Sequence, residues 1–199
     1  MREQPPEDFN QQSSFVTEEL RMLLEHAGIT WAHKSGTPQR LRRVWAELRQ
    51  HRSEFNFTVF DNTEEKYDQI IAQTGIRFTS WCAHHVLPFL GTAAVGYIPK
   101  SKYCGLSKLA RTVEYFAGTL QTQERLTKQI GQFLLEKLED PLGVAVVIKA
   151  THTCMTSRGV RQPDSVTVTS FMQGVFLEKP EARAEFLALL RHAGTPEGM

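Results

Sequence analysis

The residues best suited to chemistry form two clusters that lie far apart in the chain. The first is WCAHH at residues 81–85, which follows a β-like run at residues 76–80. The second is HTC at residues 152–154, which also ends a β-like run. Cysteine and histidine are the residue types that suit zinc. We therefore expect these two strand ends to meet around one catalytic metal ion.

Cys82 and His85 are three residues apart, so one turn can present sulfur and nitrogen to a single ion. Cys154 would be the third ligand, and a fourth position would remain for water, as in catalytic zinc sites. The spacing leaves two alternatives open. The cysteines could be small buried hydrophobic residues with incidental histidines nearby. Alternatively, His84 or His152 could complete a structural site with four ligands.

His84 and His152 each adjoin a proposed ligand in sequence. If they do not bind the metal, they are placed for proton transfer, because imidazole titrates near neutral pH. A surface or core histidine is the alternative for either residue.

Basic residues occur at two places that suit an anion. The segment GLSKLAR at residues 105–111 opens a predicted helix, where free N–H groups attract phosphate. Arg158 and Arg161 follow the second cluster in a turn that contains Gly159. The GxxxxGK[ST] phosphate-binding pattern is absent from the sequence, and solvated charges on a capped helix are the alternative.

The composition describes an ordinary globular domain. The chain has 199 residues, of which 41% are hydrophobic and 23% are charged, and its net charge is +1. This balance argues against a nucleic-acid partner, and no apolar run approaches a membrane span. Three cysteines and a polar N-terminus without a signal-peptide pattern predict a protein of the reducing cytoplasm.

The hydrophobic periodicity predicts an α+β fold. Predicted helices cover residues 15–26, 37–48, 62–73, 107–119, 121–138 and 181–192. Predicted strands form a hairpin over residues 76–98 and a second pair at 143–150 and 164–171. The expected organisation is a flexible tail (1–14), an N-terminal helical segment (15–75), a catalytic domain (76–192) and a C-terminal tail (193–199).

Four blocks of the sequence together resemble the GTP cyclohydrolase I family. They are residues 82–99, 105–111 (GLSKLAR), 121–125 (QTQER) and 152–161 (HTCMTSRGVR), in the order and at the spacing of that family. Thr37-Pro38 with Arg40 and Arg43 resembles its upstream helix, and the resemblance extends over about residues 15–192.

The resemblance implies the tunnelling fold (T-fold), an antiparallel sheet with helices on one face. Sheets from several subunits would join into a barrel. It also implies a homodecamer of two pentamers, with active sites at subunit interfaces.

The family's site residues can be carried over to matching positions. Cys82, His85 and Cys154 match zinc ligands, and His84, His152 and Ser107 match catalytic positions. The positions that match substrate-binding residues are Lys108, Arg111, Gln123, Glu124 and Arg158, with Arg40 and Arg43 from a neighbouring subunit and Arg161 as a weaker addition. In this correspondence Gln123 and Glu124 recognise guanine, and the basic residues bind the ribose and triphosphate.

The implied reaction is zinc-dependent hydrolysis of GTP at C8 of the purine. His152 would protonate N7, C8 would leave as formate, and His84 and Ser107 would move protons during ribose rearrangement. The product would be 7,8-dihydroneopterin triphosphate, a pterin precursor in tetrahydrofolate biosynthesis.

One position departs from the family pattern. Ala83 stands where relatives usually have glutamate. The missing carboxylate keeps two further hypotheses open. One is a cyclohydrolase of the same fold with a different nucleotide preference or output, such as dGTP or the 7-deazaguanine pathway. The other is a non-catalytic homologue that retains zinc and binds nucleotide.

Overall fold

The computed structural model describes residues 8–30, 36–50, 55–64 and 66–193. The chain divides into two compact units, Met1–Gln50 and His51–Met199. The first unit contains helices α1 (Asp8–His26) and α2 (Thr37–Gln50), which contact each other. Helix α1 begins seven residues before the predicted start, so residues 8–14 belong to the helix, although composition assigned them to a tail.

Within its described residues, the second unit contains one main sheet and five helices. Its strands are β1 (Val59–Asp61), β2 (Ile71–Cys82), β3 (Pro88–Ile98), β4 (Lys102–Cys104), β5 (Leu120–Gln121), β6 (Gly143–His152) and β7 (Thr167–Gly174). Its helices are α3 (Leu106–Ala117), α4 (Gln123–Lys137), α5 (Thr153–Thr156), α6 (Val175–Glu178) and α7 (Pro180–Ala193). The mixture confirms the predicted α+β class.

The main sheet has the strand order β5-β2-β3-β6-β7. Strands β2, β3, β6 and β7 pair antiparallel, whereas β5 adds two parallel pairs beside the end of β2. The predicted hairpin over residues 76–98 is confirmed. Trp81 pairs with Pro88, and Phe89 pairs with His152. This register brings the end of β2, the start of β3 and the end of β6 to one edge of the sheet.

One face of the sheet is covered by α3 and α4. Alternate residues of β6 point into this core, because successive side chains of a strand project to opposite faces. Val144, Val146 and Ile148 are fully buried there. The helices supply fully buried partners: Leu109, Val113, Leu126, Ile130 and Leu134. Burial of each such side chain stabilises the fold by about 1.5–3 kcal/mol.

The other face also carries helices, so the prediction that helices lie on one face was wrong. Ala145 and Val147 alternate with the buried β6 residues of the first face and therefore point to the opposite face. There they pack in a second cluster with α6 and α7. Phe186 of α7 lies so close to Gly96 of β3 that a Cβ there would come within 2.6 Å of its ring. The small residue in β3 therefore makes room for the C-terminal helix.

The predicted helix over residues 62–73 was also wrong. The side-chain amide of Asn62 donates to the backbone carbonyls of Tyr67 and Lys100, and its oxygen accepts from the Tyr67 N–H. These bonds stabilise a turn in place of a helix, which is the usual way asparagine competes with helical structure. Strand β2 begins at Ile71 and contains a bulge between Gln73 and Ile76.

Among the described residues, no helix combines the length and the apolar character that crossing a membrane requires.

Close packing of α4 on β7 yields a stability prediction. A Cβ at Gly131 would lie 2.2 Å from Cδ1 of Phe171. We expect Gly131→Ala to lower the free energy of unfolding by up to about 2 kcal/mol. Overpacking costs about 1–3 kcal/mol, which outweighs the gain of about 1 kcal/mol from replacing glycine in a helix. Urea denaturation measures the change.

Gly105→Ala is the matched control, because the nearest atom to its Cβ would be 3.9 Å away, on Lys108. A Gly131→Ala protein as stable as the Gly105→Ala protein would contradict the packing described.

Candidate functional site

Cys82 ends β2 and begins a tight turn back into β3. Its backbone N–H donates to the Leu87 carbonyl, and its carbonyl accepts from the N–H groups of Val86 and His85. The thiol sulfur of Cys82 lies 3.6 Å from Nδ1 of His85. The turn therefore brings a sulfur and a ring nitrogen together, as the three-residue spacing predicts.

Val86 in this turn has a φ of 52°, in the left-handed region that β-branched residues rarely adopt. Such a conformation costs on the order of 1–3 kcal/mol and persists only when surrounding structure stabilises it. The hydrogen bonds of Cys82 with residues 85–87 provide that stabilisation.

Cys154 reaches the same place from β6. It lies in α5, the short helix that directly follows the strand. The Thr153 hydroxyl donates to the Pro88 carbonyl at 2.6 Å, which joins α5 to the start of β3. The ligand atoms of Cys82, His85 and Cys154 all lie within 4.8 Å of one another. The expectation that two distant strand ends meet is confirmed.

The spacing of these atoms can be compared with that of a tetrahedral metal site. With zinc–sulfur bonds of about 2.3 Å and zinc–nitrogen bonds of about 2.0 Å, ligand atoms lie about 3.5–3.8 Å apart. The separation of 3.6 Å between Cys82 and His85 matches this spacing. Among the described residues, neither His84 nor His152 joins the group at the 4.8 Å limit. A ligand set of three leaves one coordination position open.

The two sulfurs affect each other in the absence of a cation. Burial raises the pKa of the Cys154 thiol, and the neighbouring Cys82 raises it further. A bound divalent cation reverses this effect because it stabilises thiolates. Metal binding therefore releases the thiol protons, because the thiolate is the form that coordinates the ion.

His152, the last residue of β6, lies beside this group. Its ring stacks on Phe89 with 4.4 Å between ring centroids and 3° between planes. Its Nε2 lies 2.8 Å from Oε1 of Gln123. Burial lowers the pKa of His152, while the carboxylate of Glu124 opposes the shift. The ring is thus fixed by stacking on Phe89 and by the hydrogen bond of its Nε2 with Gln123.

His84 is exposed, and its Nδ1 lies 4.0 Å from the sulfur of Cys82. It therefore sits beside the candidate metal ligands and is open to solvent. Its role in proton transfer stays a prediction.

Gln123 is the first residue of α4, and only 1% of its surface is exposed. Its amide nitrogen donates to the carbonyls of Ile148 and Thr167 and to the Thr169 hydroxyl. Its oxygen lies against His152. All its polar atoms are therefore engaged within the protein, unlike those of an exposed substrate contact.

Glu124, the next residue, is exposed and lines a cleft of about 330 Å³. The other lining residues are Thr127, Lys128, Thr169, Ser170 and Phe171. The Thr169 hydroxyl accepts a hydrogen bond from the Gln123 amide, and Gln123 in turn is hydrogen-bonded to His152. The cleft is therefore linked to His152 through Gln123. A planar group in the cleft would have a carboxylate acceptor beside it.

The predicted phosphate-binding residues of the second unit lie in two segments. Ser107, Lys108 and Arg111 lie in the first half of α3, and Ser107 and Arg111 are exposed. The Lys108 ammonium donates to the Asn56 carbonyl at 2.5 Å. Arg158, which is exposed after α5, lowers the pKa of Cys154 slightly against the larger effects named above.

Three further arginines were predicted from sequence. Arg161 is exposed and has a φ of 47°. Arg40 and Arg43 are exposed on α2 in the first unit. Their predicted contribution to a neighbouring subunit's site stays a prediction.

Sequence reasoning missed the residues that surround His152. Phe89 stacks on its ring, and Thr127 and Thr169 share a hydrogen bond beside Gln123. Phe89 lies within the predicted hairpin of residues 76–98, and only the β3–β6 register shows that it pairs with His152. Thr169 lies within the predicted strand at residues 164–171, but the sequence pattern does not show that its partner is Thr127 on α4.

Comparisons with known proteins agree with this geometry. The family model for GTP cyclohydrolase I matches residues 16–191. A protein named GTP cyclohydrolase 1 from Sulfurihydrogenibium sp. is 44% identical over 178 residues, covering 88% of this chain and 93% of its own. One so named from Synechococcus sp. is 50% identical over 161 residues, covering 78% and 69%. Another, from Hydrogenobaculum sp., is 44% identical over 178 residues, covering 88% and 96%.

The ligand geometry predicts one divalent metal ion per chain. We expect Cys154→Ser to lose most of it, because the hydroxyl that replaces the thiolate is a poor ligand for a soft site. Metal analysis of the purified, folded protein measures the loss. Cys104→Ala is the matched control, since Cys104 is buried and its backbone N–H bonds to the Tyr97 hydroxyl, outside the ligand group. Equal metal content in the two variants would refute the ligand assignment.

Proposed function

The chain belongs to the GTP cyclohydrolase I family, and we propose that it hydrolyses GTP at C8 with a zinc ion bound by Cys82, His85 and Cys154. The products are formate and 7,8-dihydroneopterin triphosphate. The observation that carries this proposal is the meeting of two thiols and an imidazole within 4.8 Å, with His84 and His152 beside them. The match over residues 16–191 supports the same reaction.

The zinc ion would supply a Lewis acid that makes water nucleophilic near neutral pH. His152 protonates N7 of the purine, which makes C8 more electrophilic for the attack of water. Ring opening and a second hydrolysis release C8 as formate. His84 and Ser107 carry protons while the ribose rearranges, and their exposed positions support this role.

The triphosphate requires several cations, because GTP carries about four negative charges at neutral pH and phosphate binds best to charged donors. Lys108, Arg111 and Arg158 supply them from this chain, and Arg40 and Arg43 supply them from a neighbouring subunit. The exposure of Arg111 and Arg158 supports this assignment. On substrate binding, the Lys108 ammonium would leave its hydrogen bond with the Asn56 carbonyl and bind a phosphate oxygen instead.

Glu124 recognises guanine by accepting from its N–H groups. Its exposed carboxylate at the rim of the 330 Å³ cleft supports this role. A site that hydrogen-bonds the polar edge of a base discriminates against other bases more strongly than an apolar pocket does.

A larger assembly is part of the proposal. Homodecamers of two pentamers would join T-fold sheets into a barrel, and each active site would lie between subunits. Among the described residues, β7 is an edge strand that pairs only with β6. Its other edge is therefore available to pair with a strand of another subunit. The enzyme would work in the cytoplasm in pterin synthesis, and its three free cysteines agree with a reducing compartment.

Ala83 does not disturb the ligands. Its side chain is exposed, and its backbone N–H donates to the Gln121 carbonyl at 2.8 Å. This main-chain hydrogen bond joins the turn after β2 to β5 and does not depend on the side chain at position 83. The relatives' names give no preference to a different nucleotide or to loss of catalysis.

The proposed function predicts formate release from GTP. We expect one formate for each GTP consumed, together with pterin fluorescence after oxidation of the product. His152→Ala should lower kcat by about 10²- to 10⁴-fold, as for loss of a general acid, while zinc content stays unchanged.

His192→Ala is the control, since His192 is exposed in the last turn of α7. A parallel incubation with dGTP tests the nucleotide preference. Zinc-loaded wild-type protein that released no formate from either nucleotide would contradict the proposed function.

A further inference from the structure

Gln123 and His152 form a hydrogen-bonded pair whose proton positions can be deduced. The pair is joined at 2.8 Å, between Oε1 of Gln123 and Nε2 of His152. An amide oxygen only accepts, whereas a neutral imidazole nitrogen either donates or accepts. The orientation of the Gln123 amide therefore determines which nitrogen of His152 bears hydrogen.

Two backbone carbonyls determine that orientation. The amide nitrogen of Gln123 lies 3.2 Å from the Ile148 carbonyl oxygen and 3.0 Å from that of Thr167. Carbonyl oxygens cannot donate, so rotating the amide by 180° would place three oxygens together with no proton between them. Burial of Gln123 to 1% exposure makes such an unsatisfied arrangement costly.

The neighbouring hydroxyls are consistent with the same orientation. The Thr127 hydroxyl donates to the backbone carbonyl of Gln123 at 2.7 Å, which uses its only proton. The Thr169 hydroxyl must then donate to Thr127 across their 2.7 Å contact, and its lone pair accepts from the Gln123 amide at 3.1 Å. The two amide protons of Gln123 are shared among three acceptors, the Ile148 and Thr167 carbonyls and the Thr169 hydroxyl, so the amide oxygen is left facing His152.

We propose that Gln123 is a positioning residue that keeps the proton of neutral His152 on Nε2, so that Nδ1 is the nitrogen that exchanges protons with the substrate. This inference rests on the proposed function, and it gives Gln123 a role other than contact with guanine. Stacking on Phe89 fixes the ring plane, and Gln123 fixes the ring's rotation within that plane. Within the described part of the chain, Nδ1 has no hydrogen-bond partner.

The proton transfer then has a defined course. In the cationic ring both nitrogens bear hydrogen, and the N–H bond at Nδ1 breaks as the proton passes to N7 of the purine. The ring is left neutral with its remaining proton on Nε2, bonded to Gln123. Water that attacks the substrate releases the proton that restores the cation.

Nuclear magnetic resonance of full-length, zinc-loaded protein labelled with ¹⁵N-histidine tests the tautomer directly. We expect the neutral ring of His152, identified by its loss in His152→Ala, to show hydrogen on Nε2 and a bare Nδ1. Hydrogen on Nδ1 would overturn the inference. This result does not depend on turnover, so failure of the proposed function would be seen separately as absence of formate.

Steady-state kinetics test the consequence. Gln123→Met keeps the side-chain length but removes the acceptor, and we expect kcat to fall about 10- to 100-fold, the range found for partners that orient histidines, with KM for GTP unchanged. Glu124→Gln is the comparison, and there we expect KM to rise more than kcat falls. A raised KM with normal kcat in Gln123→Met would instead indicate direct contact with guanine and overturn the inference.

A double-mutant cycle separates positioning from a general structural role. If Gln123 acts through His152, adding Gln123→Met to His152→Ala should cost no further activity. Additive losses would overturn the proposal. Should Gln123→Met not fold, the tautomer measured in the wild-type protein decides the question.

Discussion

The structure depends on one constraint, that three soft ligand atoms from distant parts of the chain lie within 4.8 Å of one another. Cys82 and His85 come from the turn after β2, and Cys154 comes from the helix after β6. Strand β3 lies between these strands and pairs with both. Its register sets the position of each cluster relative to the other, so the antiparallel sheet brings two sequence segments together as a candidate metal centre.

The side chains around this centre include both buried, hydrogen-bonded groups and exposed charged groups. His152 is fixed by Phe89 and Gln123, whereas His84, Arg111 and Arg158 are exposed. A rigid buried network favours accurate placement of a proton, because its hydrogen bonds allow one arrangement. In the proposed function, the exposed cations would bind the flexible triphosphate.

Much of this could be predicted from local patterns. The Cys82–His85 spacing, the strand before Cys154 and the helix that begins near Ser107 are local features, and the structure has each of them. The turn at Asn62 was missed because its bonds reach Lys100, which is distant in sequence. Gln123 was predicted to recognise guanine together with Glu124, and its burial by packing of α4 against β6 and β7 is a feature that local sequence does not reveal. Errors therefore arose where long-range contacts override local periodicity.

The central claim is that Cys82, His85 and Cys154 form a three-ligand zinc centre with one open position. X-ray absorption spectroscopy of the zinc-loaded protein tests it most directly. We predict two sulfur atoms at about 2.3 Å, one imidazole nitrogen at about 2.0–2.1 Å and one further oxygen ligand. Two imidazoles with two sulfurs would describe a closed structural site and contradict the account, as would a zinc ion without sulfur ligands.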